Sequence, residues 1–124
     1  MTKQVLVVDD DQLMHRLFQH HLERAGYQML SAMNGREAVE IAAREIPGVI
    51  VMDVMMPDVD GLAALRELKK SDATKAIPVI IITANGHHLT RKESESCGAA
   101  IFLTKPFSPT QLLNEIRRLV PATN

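Results

Sequence analysis

A chain of 124 residues, of which 46% are hydrophobic and 23% charged, is long enough to form one domain with a substantial core. Its net charge of −1 lacks the basic excess typical of nucleic-acid-binding domains, so nucleic acid is not an expected partner. The single cysteine, Cys97, excludes an internal disulfide, and no Cys/His spacing indicates structural zinc.

The sequence has no segment typical of a signal peptide or a membrane span. The apolar run at residues 5–8 gives way at once to acidic residues, and the other apolar runs are about as long as one strand. A membrane-spanning helix requires roughly 20 predominantly apolar residues. We therefore expect a cytoplasmic protein with no membrane partner.

The first predicted strand and helix show the pattern that the rest of the chain repeats. Residues 5–8 are continuously apolar, which favours a strand buried on both faces of a parallel sheet. In the helix that follows, Asp11 is the candidate N-cap and Gly26 the C-terminal stop, and histidines such as His15 are expected to be solvated. The apolar side chains expected to be buried are Leu13, Met14, Leu17, Phe18, Leu22 and Ala25.

Four further strand–helix units follow in the same order. The spacing predicts strands over residues 27–32, 49–52, 78–82 and 99–103. It predicts helices over residues 37–45, from residue 62 onwards, over the weakly periodic residues 87–97, and from the capping box that begins at Ser108. Five strands alternating with five helices predict an α/β fold with a doubly wound parallel sheet, helices on both faces, and a single domain over residues 1–124.

Polar residues end the otherwise apolar strands, and in such a sheet ligands bind beyond the carboxyl ends of the strands. Clustered carboxylates there suit Mg²⁺, which keeps much of its hydration and is commonly shared with a phosphate. A lysine could pair with a phosphate oxygen, and a carboxylate can itself be a nucleophile that forms an aspartyl phosphate. The strand-end residues are Asp9, Asp10, Asp11, Asp53, Thr83 and Lys105.

Four pieces of the chain form a recognisable set of motifs: Val5–Asp10, Met52–Pro57 with Asp60–Gly61, Ile82–Ala84 and Lys105–Phe107. In their order and separations they resemble the motifs of the receiver domain of two-component response regulators. The resemblance covers nearly the whole chain and is strongest for stand-alone receivers of the chemotaxis type. It implies a flavodoxin-like (βα)5 fold with strand order 2-1-3-4-5.

The resemblance also implies a phosphoacceptor and a metal site. Asp53 would accept the phosphoryl group. Asp10 would bind Mg²⁺ directly with Asp9 close by, and Asp53 and the backbone carbonyl of Met55 would complete the protein's share of the metal ligands. Thr83 and Lys105 would contact the phosphoryl group.

The switch and the partners follow from the same resemblance. Phe102 would be the switch aromatic, responding when Thr83 moves toward the phosphoryl group. The donor would be a histidine kinase or a histidine phosphotransfer protein, and a downstream protein target would bind the surface of the fourth and fifth helices and fifth strand. The chain would be a monomer or a weak dimer, and would catalyse only its own phosphorylation and dephosphorylation.

Three alternatives remain open at this point. A phosphohydrolase of the haloacid-dehalogenase type needs a second acid two residues after the nucleophile, where this chain has Met55. A phosphorylation-independent interaction module would not need Asp10, Asp53, Thr83 and Lys105 together. A receiver cut from a longer regulator would have the same motifs.

Overall fold

The computed structural model describes residues 3–53, 61–83, 101–104 and 108–120. Its centre is a five-stranded sheet with the order β2-β1-β3-β4-β5, and every neighbouring pair of strands is parallel. The predicted fold class and strand order are therefore confirmed. The strands are β1 (Gln4–Val8), β2 (Gln28–Ala32), β3 (Val49–Asp53), β4 (Val79–Thr83) and β5 (Ile101–Thr104).

Four helices are described. They are α1 (Gln12–Arg24), α2 (Gly35–Glu45), α3 (Gly61–Lys70) and the C-terminal helix (Pro109–Leu119). The helix predicted over residues 87–97 lies outside the described residues, as do residues 99 and 100 of the predicted fifth strand.

The sheet has a hydrophobic core on each face, because side chains alternate along every strand. One core joins Leu6, Val8, Ile50 and Met52 to small and leucine side chains of α2 and α3. The other joins the alternate positions of the same strands to α1 and the C-terminal helix. Its members include Val5, Val7, Val49, Val51, Phe18, Leu22, Leu112 and Ile116.

The predicted helix ends are confirmed at three places. The Asp11 carboxylate accepts a hydrogen bond from the Leu13 N–H at 2.9 Å and caps α1. Gly26 follows that helix with φ 94°, a left-handed conformation that glycine adopts at little cost. The Ser108 hydroxyl accepts from the Gln111 N–H at 3.0 Å, and Pro109 is the first residue of the C-terminal helix.

The prediction for the buried face of α1 was partly wrong. Leu13 is 70% exposed and Leu17 is 44% exposed, whereas His15 is buried with Phe18 and Leu22. A helix can turn only one stripe to the sheet, and positions i, i+3 and i+7 from His15 form that stripe. The other leucine stripe, at positions 13 and 17, consequently faces outward.

Candidate functional site

Two aspartates lie at the carboxyl ends of the neighbouring strands β1 and β3. Val8 pairs with Met52, so Asp9 and Asp53 are the next residues along their strands. Both are buried, with exposed fractions of 4% and 5%. By the alternation of strand side chains, positions 9 and 53 fall on the face covered by α1 and the C-terminal helix. The structure therefore brings two buried carboxylates to one edge of the sheet.

Asp9 is held by hydrogen bonds from three directions. Its N–H donates to the Ala32 carbonyl at 3.1 Å, which extends the pairing with β2 by one residue. Its Oδ1 accepts from the Asp11 N–H at 2.9 Å, and its carbonyl oxygen accepts from the His15 Nε2 at 2.7 Å. These bonds fix the backbone where β1 turns into α1.

The two acids after Asp9 have different environments. Asp10 directly follows Asp9 in the chain and is exposed, so its carboxylate is accessible from solvent. Asp11 is also exposed, and its carboxylate is used as the cap of α1. The structural role expected for Asp11 is thus confirmed.

Of the remaining candidate residues, Thr83 lies at the carboxyl end of its strand, Phe102 lies within a strand, and two lie outside the described residues. Thr83 is the last residue of β4 and pairs with Thr104 of β5. The residue before Thr83, Ile82, pairs with Asp53 of β3. Phe102 pairs with Ile81, inside β5. Met55 and Lys105 lie outside the described residues.

The described carboxylates are compatible with Mg²⁺. Within residues 3–53, 61–83, 101–104 and 108–120, no group of three His, Cys, Asp or Glu side chains is arranged to hold a metal ion. Mg²⁺, however, is usually bound by one or two carboxylates and completes its octahedron with water or phosphate oxygens. The buried pair Asp9 and Asp53 meets that requirement in donor type and number.

Sequence reasoning missed one residue next to this site. His15 was expected to be solvated, but it is 7% exposed and donates a hydrogen bond to the Asp9 carbonyl oxygen. The sequence held only a partial signal: His15 precedes Phe18 by three and Leu22 by seven residues and so shares their stripe, but a second apolar stripe runs through Leu13 and Leu17.

Comparisons with known proteins identify the family. Residues 5–117 match the response regulator receiver domain. The chain belongs to this family. It is 40% identical over 119 residues to the response regulator PleD of Caulobacter vibrioides, covering 96% of this chain and 26% of that protein. The chain spans about a quarter to a half of the length of the curated relatives it matches.

Solved receiver structures share this fold. The chemotaxis protein CheY4 of Vibrio cholerae superposes with a TM-score of 0.89 at 31% identity, covering 97% of this chain and all of that one. The receiver domain of the sensor histidine kinase PA1611 of Pseudomonas aeruginosa has a TM-score of 0.86 at 28% identity, covering 96% and 98% of the two chains. In that structure a magnesium ion is coordinated in the active-site cleft.

Membership of the receiver family establishes the general activity. A receiver domain is a phosphoacceptor module of two-component signal transduction, which interacts with histidine kinases, and is not an enzyme acting on a separate substrate.

Among the described residues, no helix combines the length and hydrophobicity that a membrane crossing would need.

Proposed function

We propose that this receiver is a Mg²⁺-dependent switch in which Asp53 accepts the phosphoryl group. The observation that carries the proposal is the burial of Asp53 at the carboxyl end of β3, on the strand next to Asp9. A carboxylate fixed at a strand end can act as a nucleophile, and a second carboxylate beside it favours a divalent cation. The donor is a histidine kinase or a histidine phosphotransfer protein.

The metal ligands follow from the same edge. Asp10 is proposed to bind Mg²⁺ directly, since it is exposed and directly follows Asp9 in the chain, with Asp9 and Asp53 supplying further carboxylate oxygens. The backbone carbonyl of Met55 is proposed as the remaining protein ligand. Bound Mg²⁺ would offset the repulsion between these carboxylates and the oxygens of the phosphoryl group.

The phosphoryl transfer needs little from the protein beyond position and charge. A carboxylate oxygen of Asp53 attacks the phosphorus, and the new O–P bond forms as the bond between phosphorus and the donor breaks. The donor leaves with that electron pair. Thr83 is proposed to hydrogen-bond the transferred group, and Lys105 to pair with its charge. Thr83 is the last residue of β4, and β4 pairs with β3, the strand that ends at Asp53. This position supports the proposed role of Thr83.

The signal arises from the change in charge. Phosphorylation takes the side chain of Asp53 from a charge of about −1 to nearly −2 and adds strong acceptor oxygens. We propose that Thr83 and Phe102 respond to this change in charge, and that their response shifts the relative populations of two packing arrangements of the domain. The output surface comprises β5, the C-terminal helix and the segment 87–97, and it binds a downstream protein target.

The unit that performs this function is proposed to be the whole of residues 1–124, as one receiver domain that is a monomer or a weak dimer. The relatives include the longer PleD and the stand-alone CheY4. Both a stand-alone receiver and a receiver within a longer regulator are therefore compatible with the proposal.

Intact mass spectrometry after incubation with acetyl phosphate and Mg²⁺ tests the proposal. The wild-type chain should gain one phosphoryl group, and a chelator should prevent the gain. Asp53→Asn should gain none, because an amide is not a nucleophile of this kind. Asp72→Asn is the matched control, since the Asp72 side chain is 92% exposed and pairs only with a surface lysine among its described ion pairs.

The outcomes separate the proposal from its rival. Phosphorylation of wild type and Asp72→Asn, but not of Asp53→Asn, supports the switch. Phosphorylation that persists in Asp53→Asn would assign the phosphoacceptor elsewhere. If the wild type showed no Mg²⁺ binding and no phosphorylation, that result would favour a phosphorylation-independent interaction module.

A further inference from the structure

The buried histidine of α1, His15, hydrogen-bonds the backbone next to the proposed metal site. His15 is the fourth residue of the helix, and helical side chains lean toward the helix N-terminus. Its ring therefore reaches back over the first turn, and Nε2 lies 2.7 Å from the carbonyl oxygen of Asp9, in a buried hydrogen bond. A carbonyl oxygen can only accept, so Nε2 carries the hydrogen.

The other ring nitrogen has no comparable role. Nδ1 of His15 is buried and has no hydrogen-bond partner in the part of the chain that the structure describes. The polar contribution of the ring is thus the bond from Nε2 to Asp9. An apolar side chain would fill this position in the stripe beside Phe18 and Leu22 without leaving a buried nitrogen unpaired.

The bond to the Asp9 carbonyl controls more than Asp9. The carbonyl oxygen of Asp9 and the N–H of Asp10 belong to one planar peptide unit, so fixing one fixes the other. The plane of this unit sets the direction in which the chain leaves Asp9 and hence the position of the Asp10 carboxylate. The Asp9 N–H is already fixed by Ala32 and its Oδ1 by the Asp11 N–H.

We propose that His15 is a positioning residue for the Mg²⁺ site. Its Nε2–H holds the Asp9–Asp10 peptide plane in the orientation that directs the two carboxylates to the metal. Side chains that orient metal ligands through hydrogen bonds typically change metal affinity by about 10- to 100-fold when they are removed. The inference rests on the proposed function, because it concerns the metal site of that switch.

Titration calorimetry with Mg²⁺ tests the inference in the unphosphorylated protein. His15→Leu keeps a buried side chain of similar size beside Phe18 and Leu22 but removes the Nε2–H hydrogen-bond donor. It should weaken Mg²⁺ binding by about 10-fold. His15→Gln places an amide N–H at nearly the distance of Nε2 and should restore most of the affinity. His15→Asn is too short to reach and should resemble His15→Leu. His20→Leu, at an exposed position of the same helix, should bind Mg²⁺ like the wild type.

A second measurement separates positioning from stability. At saturating Mg²⁺, His15→Leu should be phosphorylated by acetyl phosphate at nearly the wild-type maximal rate, because Asp53 is unchanged. Only the Mg²⁺ concentration for half-maximal rate should rise. Should His15→Leu fail to fold, the pair His15→Gln and His15→Asn, both polar amides that differ in reach, carries the same test.

Each result is decisive. Equal Mg²⁺ affinity in His15→Leu and the wild type, or in His15→Gln and His15→Asn, would overturn the positioning role while leaving the switch intact. Failure of the wild type itself to bind Mg²⁺ would overturn both the switch and the role of His15.

Discussion

Asp9 and Asp53 occupy matching positions on adjacent parallel strands, each one residue beyond the Val8–Met52 pair, and both carboxylates are buried. Neither position is explained by packing, since the residues before them are apolar and fully buried. Like charges at opposed positions of neighbouring strands destabilise a sheet. We therefore expect this pair to lower the stability of the metal-free protein, as residues that serve a site rather than the core commonly do.

Removing one charge of this pair should stabilise the metal-free protein. Asp9→Asn keeps an oxygen that can accept from the Asp11 N–H, and it should raise the free energy of unfolding by about 0.5 to 1 kcal/mol without Mg²⁺. Asp53→Asn should have a similar effect. Urea unfolding in the presence of a chelator measures both.

A double-mutant cycle shows whether the two carboxylates interact directly. If they repel one another, the gain in the free energy of unfolding of the double variant should fall short of the sum of the two single gains. The shortfall should be about 0.5 kcal/mol or more. Strict additivity would mean that the charges do not interact. Asp72→Asn, at the exposed surface, is the control that should leave stability nearly unchanged.

The sequence predicted the strands β1, β3, β4 and β5 because each is an apolar run that gives way to a polar residue, whereas β2 is partly polar and ends at Ala32. The order of the strands followed from the family resemblance. The sequence also predicted the caps, since Asp11 and Ser108 precede their helices with short side-chain acceptors. Within the described residues, the predicted strand limits differ from the observed ones by one residue. Asp53 and Thr83 are the last residues of β3 and β4 rather than the first residues after them.

The environment of Asp9 could not be predicted in the same way. Periodicity gives two candidate stripes on α1, one through Leu13 and Leu17 and one through Phe18 and Leu22, and does not say which faces the sheet. The choice depends on how the helix is rotated over the sheet. That rotation decides the place of His15, and with it the hydrogen bond to Asp9.

The rotation of α1 predicts unequal effects of two leucine truncations. Leu22→Ala removes a side chain that is 1% exposed and should cost about 2 to 5 kcal/mol. Leu13→Ala removes one that is 70% exposed and should change stability by less than about 0.5 kcal/mol. Chemical denaturation of both variants measures the difference, and equal losses would contradict the observed rotation.

Ile46, at the end of α2, has a backbone conformation that another residue would adopt at lower energetic cost. Ile46 has φ 46° and ψ 65°, the left-handed region, where a β-carbon costs about 1 to 2 kcal/mol. Pro47 follows and disfavours helical conformations at the preceding residue. Ile46→Gly should therefore raise the free energy of unfolding by about 0.5 to 1 kcal/mol.

The control for this substitution keeps the β-carbon. Ile46→Ala shortens a side chain that is 43% exposed and removes the β-branch but keeps the β-carbon, so its gain should be smaller than that of Ile46→Gly. Thermal unfolding of the two variants compares them directly. A gain in Ile46→Ala equal to that in Ile46→Gly would assign the effect to the exposed apolar surface instead of the backbone.

Tyr27 links the start of β2 to the end of the C-terminal helix. Its side chain is 3% exposed, and its hydroxyl donates a hydrogen bond to the carbonyl oxygen of Val120 at 2.5 Å. Burial raises the pKa of Tyr27 above its ordinary value of 10.0, and the nearby positive charge of Arg117 offsets part of that rise. Below pH 10, Tyr27→Phe should lower the free energy of unfolding by about 1 kcal/mol.

The raised pKa of Tyr27 makes this difference depend on pH. The unfolded chain loses the phenolic proton near pH 10, whereas the folded chain keeps it to higher pH. The stability contributed by Tyr27 is therefore fully present below pH 10 and is lost as the pH rises through the folded-state pKa. The gap between the wild type and Tyr27→Phe should narrow in urea unfolding series above pH 10, because other titrating groups are common to both.

Ultraviolet absorbance provides an independent measurement of the same ionisation. Tyr27 is the only tyrosine in the chain, so the tyrosinate signal reports this residue alone. In the folded protein the signal should appear at higher pH than in urea-unfolded protein, because ionisation requires burying a charge or opening the contact with Val120. Coincident titration curves in the two states, together with a constant stability gap, would show that the hydroxyl is not desolvated in solution.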